Sequence, residues 1–377
     1  MTSTSASNKA YQSKQQAAAF PAMAARQILK ISARAFVSPV AGGSGAAKSS
    51  GGNPVTIFSP SPSTKLTPEL RSRLAQTCTW ESVVVEPCQD DDSSMVSQFS
   101  FFMPSGEEVS FCAHAAIGAC SFIANKTSVM SADANLPMNS NDDKQNVVTF
   151  IAAQERHKKY NALVRGKEAE LFMDIEHYES ECDKNGSSLS LFLKEIGLNE
   201  DDIDNNDAKA TTTLFLNSSV ARPKTLIPVK SAHRLHAATA PTNPTRFQQM
   251  CESIDSTGLY LYDSSSTTNI ECRQFPKSSG YAEDPATGIA AGALVASLYS
   301  RSMKLNDGSD GNKGGVCTTI LQGTAMRRPS QIKVNIHDYC ATSSKSNPSS
   351  HRGSVKISYA GLVVFDDVSY LNESELS

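Results

Sequence analysis

Two segments of this chain are long enough for a helix and apolar on all sides, and they restrict its fold more than any other feature does. They cover residues 115–124 and about 287–299. A helix at the surface of a globular protein has a polar face, so a helix without one is expected inside a core. Because one such segment lies in each half of the chain, we expect two similar halves that face each other across a cleft.

Short apolar runs separated by turn residues surround both segments and are typical of β-strands. The sequence therefore predicts an α+β fold in which each half is a curled sheet around its buried helix. The predicted strands are 31–37, 55–58, 83–85, 98–103, 147–152, 160–164 and 169–175 in the first half and 210–216, 225–229 and 258–262 in the second. A further helix is predicted from Pro68 to Gln76, with Thr67 as its N-cap, which leaves Glu81 at the corner between this helix and the next strand.

The length of 377 residues suits two domains of about 150 to 170 residues each, with some additional sequence. We predict an N-terminal domain over 29–175 and a C-terminal domain over 176–366, whose last strand can return to the first domain, and then a tail over 367–377. Three polar stretches, at 201–207, 306–315 and 341–353, are expected to be surface insertions without a role in chemistry.

Residues 1–28 differ from the rest of the chain in composition. The first 68 residues contain no Asp or Glu, and the leader is rich in Ser, Ala and Gln with several Lys and Arg residues. This composition is typical of a solvated tail and also of a mitochondrial transit peptide, so both interpretations stay open. We expect a disordered leader and a cytoplasmic protein, with a mitochondrial location as the alternative.

Charge and cysteine content exclude several classes of function. The formal net charge of −3 and the pI near 6.2 provide no basic surface for nucleic acid or an anionic membrane. No apolar run approaches the roughly 20 residues that a membrane-spanning helix needs. The nine cysteines include no C-x-x-C pair, which indicates a reducing compartment and no zinc site. We therefore expect a small-molecule substrate, with neither nucleic acid nor a membrane as a partner.

A polar cluster precedes each of the two apolar helices. Cys112, Ala113 and His114 open the first, and Asp284 lies in the segment that opens the second. The N-terminus of a buried helix presents unpaired N–H groups and partial positive charge, which can hold a carboxylate or a developing enolate oxygen. His114 either relays a proton or is only a hydrogen-bonded helix-start residue, and Asp284 alone is explained as a helix cap. Two such N-termini aimed at one anion would stabilise the transition state in which a carbon acid loses its proton.

Glu81 and Asn53 are the other candidate site residues. Glu81 lies between Trp80, the only tryptophan, and the valines at 83–85, so its carboxylate faces either solvent or a partly apolar pocket suited to proton transfer. Asn53 lies in a Gly-Asn-Pro turn that leads into a strand and that by itself indicates only a turn.

These four segments, in this order, resemble the phenazine-biosynthesis-F-like isomerases, which are relatives of diaminopimelate epimerase. That family has a Gly-Asn-Pro turn, a Ser-Glu-Thr-like corner with the catalytic glutamate, Cys-Gly-His before one helix and Glu-Asp-Pro-x-Thr-Gly-Ser before another. This chain has Gly52-Asn53-Pro54, Thr79-Trp80-Glu81-Ser82, Cys112-Ala113-His114 and Glu283-Asp284-Pro285-Ala286-Thr287-Gly288-Ile289. The resemblance extends over about residues 29–365, and its most specific part is Glu-Asp-Pro-Ala-Thr-Gly.

The resemblance implies a diaminopimelate-epimerase-like fold with two pseudo-equivalent domains, commonly paired as a homodimer. It implies an isomerase that moves a proton between carbons of a small anionic substrate, with no metal and no organic cofactor. In this interpretation Glu81 is the acid/base, and His114 and Asp284 assist it. The substrate-binding residues that it implies are Asn53, Cys112, Ala113, Thr287, Gly288 and Ile289.

Two residues depart from the family pattern. Ala113 replaces a glycine, and its methyl group can move the backbone N–H away from a bound anion, while Ile289 replaces a serine and has no hydroxyl to donate. One alternative is therefore a binding protein of the same fold without catalysis. A second alternative is a two-cysteine racemase, in which Cys112 would need a thiol on the opposite side of the substrate, where this chain has Asp284.

Overall fold

A computed structural model of the chain describes residues 27–39, 51–88, 96–130, 145–181, 187–204, 216–305, 315–342 and 350–372. The predicted strand 210–216 lies outside the described residues except for Leu216. The predicted leader lies outside them up to residue 26, and the polar stretch 306–315 lies outside them except for Gly315.

Most of the described chain forms β-strands. The strands of the first half are β1 (Gln27–Val37), β2 (Asn53–Pro60), β3 (Ser82–Pro87), β4 (Val96–Phe102), β5 (Glu108–Val109), β6 (Gln145–Ala152), β7 (Lys159–Arg165) and β8 (Glu168–Glu181). Those of the second half are β9 (Leu216–Ser219), β10 (Lys224–Val229), β11 (Gly258–Asp263), β12 (Asn269–Pro276), β13 (Val316–Gln322), β14 (Ser330–Thr342) and β15 (Ser350–Asn372).

Seven α-helices accompany these strands in the described ranges. They are α1 (Pro68–Gln76), α2 (Ala113–Ala124), α3 (Lys126–Met130), α4 (Ser187–Glu195), α5 (Ala232–Ala237), α6 (Pro244–Ser253) and α7 (Gly288–Leu305). The predicted helix at Pro68–Gln76 is confirmed with its cap, because the Thr67 side chain accepts a hydrogen bond from the Leu70 N–H.

The strands form two closed rings that share two strands. The first ring has the order β3-β2-β1-β15-β8-β7-β6-β4, and β4 pairs with β3 to close it. The second has the order β15-β14-β13-β12-β11-β10-β9-β8, and β8 pairs with β15 to close it. The predicted α+β fold with two similar halves is confirmed, and the halves are joined because β8 and β15 belong to both rings.

The 23-residue strand β15 changes its partners along its length. Its first part pairs with β14 and β8, and the part from Leu362 to Asn372 pairs with β1, where Gln27 lies opposite Asn372. Residues 367–372, which the sequence analysis assigns to a tail, therefore continue this strand. The predicted leader is also too long, because Ile28 lies in β1 and is fully buried.

One buried helix fills each ring. Ten of the 12 residues of α2 are buried, and α2 contacts β1, β2, β3, β6, β7, β8 and β15. In the second ring α7 contacts β8, β9, β10, β13, β14 and β15. Gly292 in α7 is required sterically, since a Cβ there would lie 2.1 Å from the Tyr359 hydroxyl oxygen. Both predicted core helices are thus confirmed, and the second extends to Leu305.

Four of the other helices, α1, α4, α5 and α6, cover the outer faces of the rings. Leu74 and Ala75 of α1 pack with Phe58 and Val84 of the first ring. A second cluster joins α4, α5 and α6 to the outer face of β10, β11 and β12, with Phe192 and Phe247 among its buried side chains. Within the described part of the chain, no helix combines the length and apolarity that crossing a bilayer requires.

The prediction of surface insertions is partly wrong for two of the three polar stretches, because parts of them belong to the folded structure. In the stretch 201–207, Asp202 is buried and accepts hydrogen bonds from Arg234 Nε at 2.5 Å and Nη2 at 2.7 Å. In the stretch 341–353, both ends continue strands, because Ala341 pairs with Gly353 between β14 and β15. Polar composition misleads in both cases, since an ion pair or a sheet ladder satisfies the polar groups.

Candidate active site

The two buried helices begin at one point between the rings. Ala113 is the first residue of α2 and Gly288 the first of α7, and a Cβ placed on Gly288 would lie 3.0 Å from the Cβ of Ala113. The ring of Phe36 packs 3.4 Å from the same position. Because the first N–H groups of a helix have no acceptor within it, both helices present partial positive charge at this meeting point.

A cavity of about 180 Å³ lies at this meeting point and is bordered by both rings. Eight of the nine predicted site residues line it, and the ninth, Asn53, contacts two of them. The eight are Glu81, Cys112, Ala113, His114, Asp284, Thr287, Gly288 and Ile289. The structure thus brings all nine residues together.

Glu81 presents one free carboxylate oxygen. It lies directly before β3, as predicted, and its backbone carbonyl accepts a hydrogen bond from the Thr56 N–H at 3.2 Å. Only 6% of Glu81 is exposed. Tyr281 donates its hydroxyl to Oε1 at 2.5 Å, whereas Oε2 is buried and accepts no hydrogen bond from the described residues. A carboxylate held by one oxygen is arranged to accept a proton with the other.

Tyr281 holds Glu81 and is absent from the predicted site residues. Burial raises the pKa of Tyr281 well above its ordinary value, and the charges of Asp284 and Glu81 add to this effect. The phenol therefore stays protonated and donates to Glu81. Its ring lies 5.4 Å from the ring of Trp80, over which the guanidinium of Arg328 stacks at 4.7 Å. No sequence signal separates this tyrosine from a surface residue, because its role depends on contact with the other ring.

His114 lies beside the Glu81 carboxylate. Its Nε2 is 3.9 Å from Glu81 Oε2, an ion-pair distance, and its Nδ1 is 3.3 Å from the Cys112 sulfur. Burial alone would lower the pKa of His114, but contact with Cys112 and the charges of Glu81 and Asp284 outweigh burial and raise the pKa to about 9. His114 is therefore a cation at neutral pH.

Asp284 is held by donors on both oxygens. Oδ1 accepts from Asn53 Nδ2 at 2.9 Å and from the Ala286 N–H at 3.2 Å, and Oδ2 accepts from the Thr287 hydroxyl at 2.5 Å. The second amide proton of Asn53 goes to the Ala286 carbonyl at 2.7 Å. Burial, followed by the charge of Glu81, raises the pKa of Asp284, while His114 opposes that rise. Asp284 thus fixes the start of α7 and balances the charge of His114.

Hydrogen bonds on both sides hold the segment that carries Asp284. Arg273 on β12 makes two hydrogen bonds to the neighbouring Glu283, at 2.9 and 2.7 Å, and both side chains are buried. Gln322 at the end of β13 donates to the Asp284 carbonyl at 2.7 Å. This bidentate pair and this amide fix the segment to two strands of the second ring.

Three basic residues that were not predicted as site residues also border the cavity. They are Arg222, Lys224 and Lys277. Lys224 is the first residue of β10 and is 7% exposed. Burial, with a smaller contribution from Arg222, lowers the pKa of Lys224 to about 7. A lysine at the start of a predicted strand resembles any surface lysine, so its burial was not detectable.

The two departures from the family pattern both lie at the cavity. The methyl group of Ala113 occupies the space against Gly288, and Ile289 lines the cavity with 5% of its surface exposed. Ile289 therefore presents hydrocarbon at a position where the family pattern has a hydroxyl.

Metal ligation is a separate question from these contacts. Within the ranges that the structure describes, no group of three or more His, Cys, Asp or Glu residues is arranged to hold a metal ion. The absence of a cofactor from the reaction stays a prediction.

Comparison with known proteins identifies relatives of the chain. The sequence model of a family described as "Phenazine biosynthesis-like protein" matches residues 46–356. Among curated proteins, none matches the sequence.

Several solved structures have the same fold. A phenazine biosynthesis protein of the PhzF family from Bacillus anthracis superposes with a TM-score of 0.63 at 17% identity, over 92% of this chain and 99% of that one. A predicted epimerase from Pseudomonas aeruginosa gives 0.59 at 19% identity, over 91% and 98%. A hydroxyproline epimerase from Agrobacterium vitis, solved with bound trans-4-OH-L-proline, gives 0.53 at 10% identity, over 92% and 93%.

Proposed function

The chain belongs to the phenazine biosynthesis-like protein family, and from this membership we propose that it is an isomerase that moves a proton between carbons of a small carboxylate. Glu81 is the acid/base that carries the proton, and no cofactor takes part. The fold shared with epimerases supports this reaction class.

One observation carries the proposal: the free oxygen of Glu81 in the cavity. Oε2 is buried without a hydrogen-bond donor from the described residues, while Tyr281 fixes the other oxygen. The Glu81 oxygen borders the cavity, whereas Glu179, whose Oε1 is also buried without a hydrogen bond from the described residues, does not line it. An unpaired carboxylate oxygen that a bound molecule can reach supports proton transfer to and from that molecule.

The reaction has two steps. First, Glu81 Oε2 accepts a proton from a carbon next to the carboxyl or carbonyl group of the substrate, and the electron pair moves onto the oxygen of that group. The N–H groups at the starts of α2 and α7, with the cationic His114, stabilise the negative oxygen. Second, the neutral Glu81 returns the proton to another carbon as the double bond shifts. Glu81 recovers its initial charge, so the reaction consumes nothing.

A binding protein without catalysis is the second candidate. Two cavity residues favour it, because the Ala113 methyl packs against Gly288 and Ile289 offers no hydroxyl. Both changes reduce the hydrogen bonds available to a developing oxyanion. A pure binding site has no use for a carboxylate with a free oxygen, and for this reason we prefer the isomerase.

Deuterium labelling distinguishes the two candidates. The full chain is incubated in deuterated water with a panel of small carboxylic acids that carry a C–H bond next to a carboxyl group or a conjugated double bond. Mass spectrometry and NMR then locate any deuterium. We expect label at a carbon of at least one acid. Binding without label would support the binding protein, and the absence of any binding would contradict both candidates.

A further inference from the structure

The proposed proton transfer leaves two cations of the cavity without a role. Arg222, Lys224 and Lys277 all border the cavity, and Lys277 lies 3.6 Å from the Glu252 carboxylate. Neither Arg222 nor Lys224 forms an ion pair with a carboxylate among the described residues. Both side chains are therefore available to bind an anionic group of a ligand.

Of these two residues, Lys224 gives the stronger evidence for a bound anion. It is almost fully buried, and its ammonium group donates to the Thr257 carbonyl at 3.1 Å. An ammonium has three N–H donors, so two remain for other acceptors. A buried charge without a charged partner is unfavourable, and an anion bound beside it would remove that cost.

Gln274 supplies an independent observation at the same cavity. It comes from β12, is 1% exposed and lines the cavity. Its side-chain nitrogen has no hydrogen-bond acceptor among the described residues, and its Oε1 lies 3.3 Å from the hydroxyl oxygen of Thr287, which donates its proton over the shorter distance to Asp284 Oδ2. A buried donor without an acceptor indicates that a ligand supplies one.

We propose that Lys224, Arg222 and Gln274 form a second anion subsite, so that the substrate is a small acid with two anionic groups. This inference rests on the proposed function. The first anionic group, next to the carbon that loses its proton, binds at the starts of α2 and α7. The second binds at Lys224 and fixes the orientation of the molecule relative to Glu81.

Charge balance favours a second carboxylate over a neutral group at this subsite. Two carboxyl side chains, Glu81 and Asp284, accompany one basic side chain, His114, so this part of the cavity has no surplus of basic groups to hold two anions. Arg222 and Lys224 add two cations from β10 and the residues before it. A neutral substituent would leave the Lys224 ammonium buried without a charged partner.

Trp80 provides the readout for a direct test. It is the only tryptophan, and its ring contacts Tyr281, whose hydroxyl holds Glu81. Fluorescence titrations at pH 6.5 compare diacids with monoacids of equal chain length: malonate with propionate, succinate with butyrate and glutarate with pentanoate. We expect at least one diacid to bind about tenfold more tightly than its matched monoacid.

Substitutions locate the subsite. Lys224→Met should reduce diacid affinity to the level of the monoacid and leave monoacid affinity unchanged. Arg222→Gln should also reduce diacid affinity. Lys333→Met is the matched control, because Lys333 lies on the surface and pairs with Glu168 at 2.8 Å. Circular dichroism checks that each variant folds. If Lys224→Met does not fold, the diacid and monoacid affinities of Arg222→Gln are used for the test instead.

Three outcomes would overturn the inference. The wild type could bind diacids and monoacids with equal affinity, Lys224→Met could lose affinity for diacid and monoacid equally, or none of the probes could bind. Glu81→Gln distinguishes a failure of the subsite from a failure of the proposed function. Glu81 is not part of the subsite, so this variant should still bind the diacid more tightly than the monoacid. If that variant and the wild type both bind the diacid but neither transfers a proton, the proposed function fails and the subsite stands.

Discussion

Burial lowers the pKa of two ionisable side chains at the cavity, but the neighbours of each leave the two pKa values shifted in opposite directions. Cys112, Glu81 and Asp284 raise the pKa of His114 by more than burial lowers it, so His114 stays charged. Lys224 pairs with no carboxylate among the described residues, and burial dominates its pKa shift. The sequence predicted His114 because the residue opens a buried helix. It did not predict Lys224, because burial of a strand-start lysine depends on which segments close over it.

The shifted pKa of Lys224 gives a pH prediction. A lysine with a pKa of about 7 is charged below that pH and neutral above it, so diacid affinity should fall as the pH rises through 7. Arg222 and Lys277 favour the neutral form, whereas Asp284 and Cys251 favour the charged form. His114 keeps its charge until about pH 9 and does not contribute to the change. Fluorescence titrations across this range measure the effect.

The control for the pH prediction is Lys224→Met, whose diacid affinity should show little dependence on pH between 6 and 8. An affinity of the wild type that stays constant over the same range would contradict the assigned role of Lys224.

Cys112 tests the racemase alternative. Its sulfur lies 3.3 Å from His114 Nδ1, and it is the only cysteine among the described residues that line the cavity. Cys112→Ser should keep most of the activity, because a glutamate that carries the proton does not need a thiolate. Rates of deuterium incorporation for the two proteins provide the comparison. A serine variant as inactive as Glu81→Gln would restore the racemase hypothesis.

At the scale of elements, helices were easier to predict than the strands that close the rings. The apolar segments that became α2 and α7 are recognisable because no polar face interrupts them. After residue 262 the one predicted strand was a last strand that can return to the first domain, as β15 does by pairing with β1, but its bounds were not predicted, although Val355, Ile357 and Tyr359 alternate with polar residues there. The pairing of β15 with β8 joins residues far apart in the chain, and a pattern within one segment does not reveal its partner.

The Arg273–Glu283 pair gives a prediction for the segment that carries Asp284. Arg273→Met leaves the buried Glu283 carboxylate without its partner, which should reduce the free energy of unfolding by about 3 to 5 kcal/mol. Urea unfolding measures this loss. The double variant Arg273→Met with Glu283→Met should recover a large part of it.

A surface pair is the matched control for that experiment. Lys333→Met breaks the ion pair with Glu168, both of whose side chains are more than a third exposed, and should cost no more than about 1 kcal/mol. Equal losses in Arg273→Met and Lys333→Met would show that the buried pair does not hold the segment.

At the scale of the whole molecule, the site exists only where the two rings meet. Glu81, Cys112 and His114 come from the first half of the chain, and Asp284 and Tyr281 come from the second. The sequence placed the predicted residues together because the motif order resembles a known family, not because their spacing requires it. Their donors and counter-charges, such as Tyr281 and Lys224, could not be derived in the same way, since they depend on how the rings dock.

Nested truncations test where the folded part of the chain begins. Removal of residues 1–26 should leave the melting temperature almost unchanged, because this stretch contains no Leu, Ile or Val. Removal of residues 1–31 also deletes Ile28, Leu29 and Ile31, all fully buried, at roughly 1.5 to 3 kcal/mol each. This loss is comparable to the total stability of many domains, so the shorter protein should not fold. A cooperative transition at the wild-type temperature in both would contradict the assignment of β1.

The acid/base role of Glu81 is tested by the exchange of substrate hydrogen for deuterium in Glu81→Gln. Glutamine keeps the shape of the side chain but cannot accept the proton, so exchange should fall by at least about a hundredfold, while binding of the acid, followed by Trp80 fluorescence, is retained. Glu168→Gln, the same change at an exposed carboxylate, should exchange at the wild-type rate. Unchanged exchange in Glu81→Gln would contradict the account, because the proton would then be carried by another group.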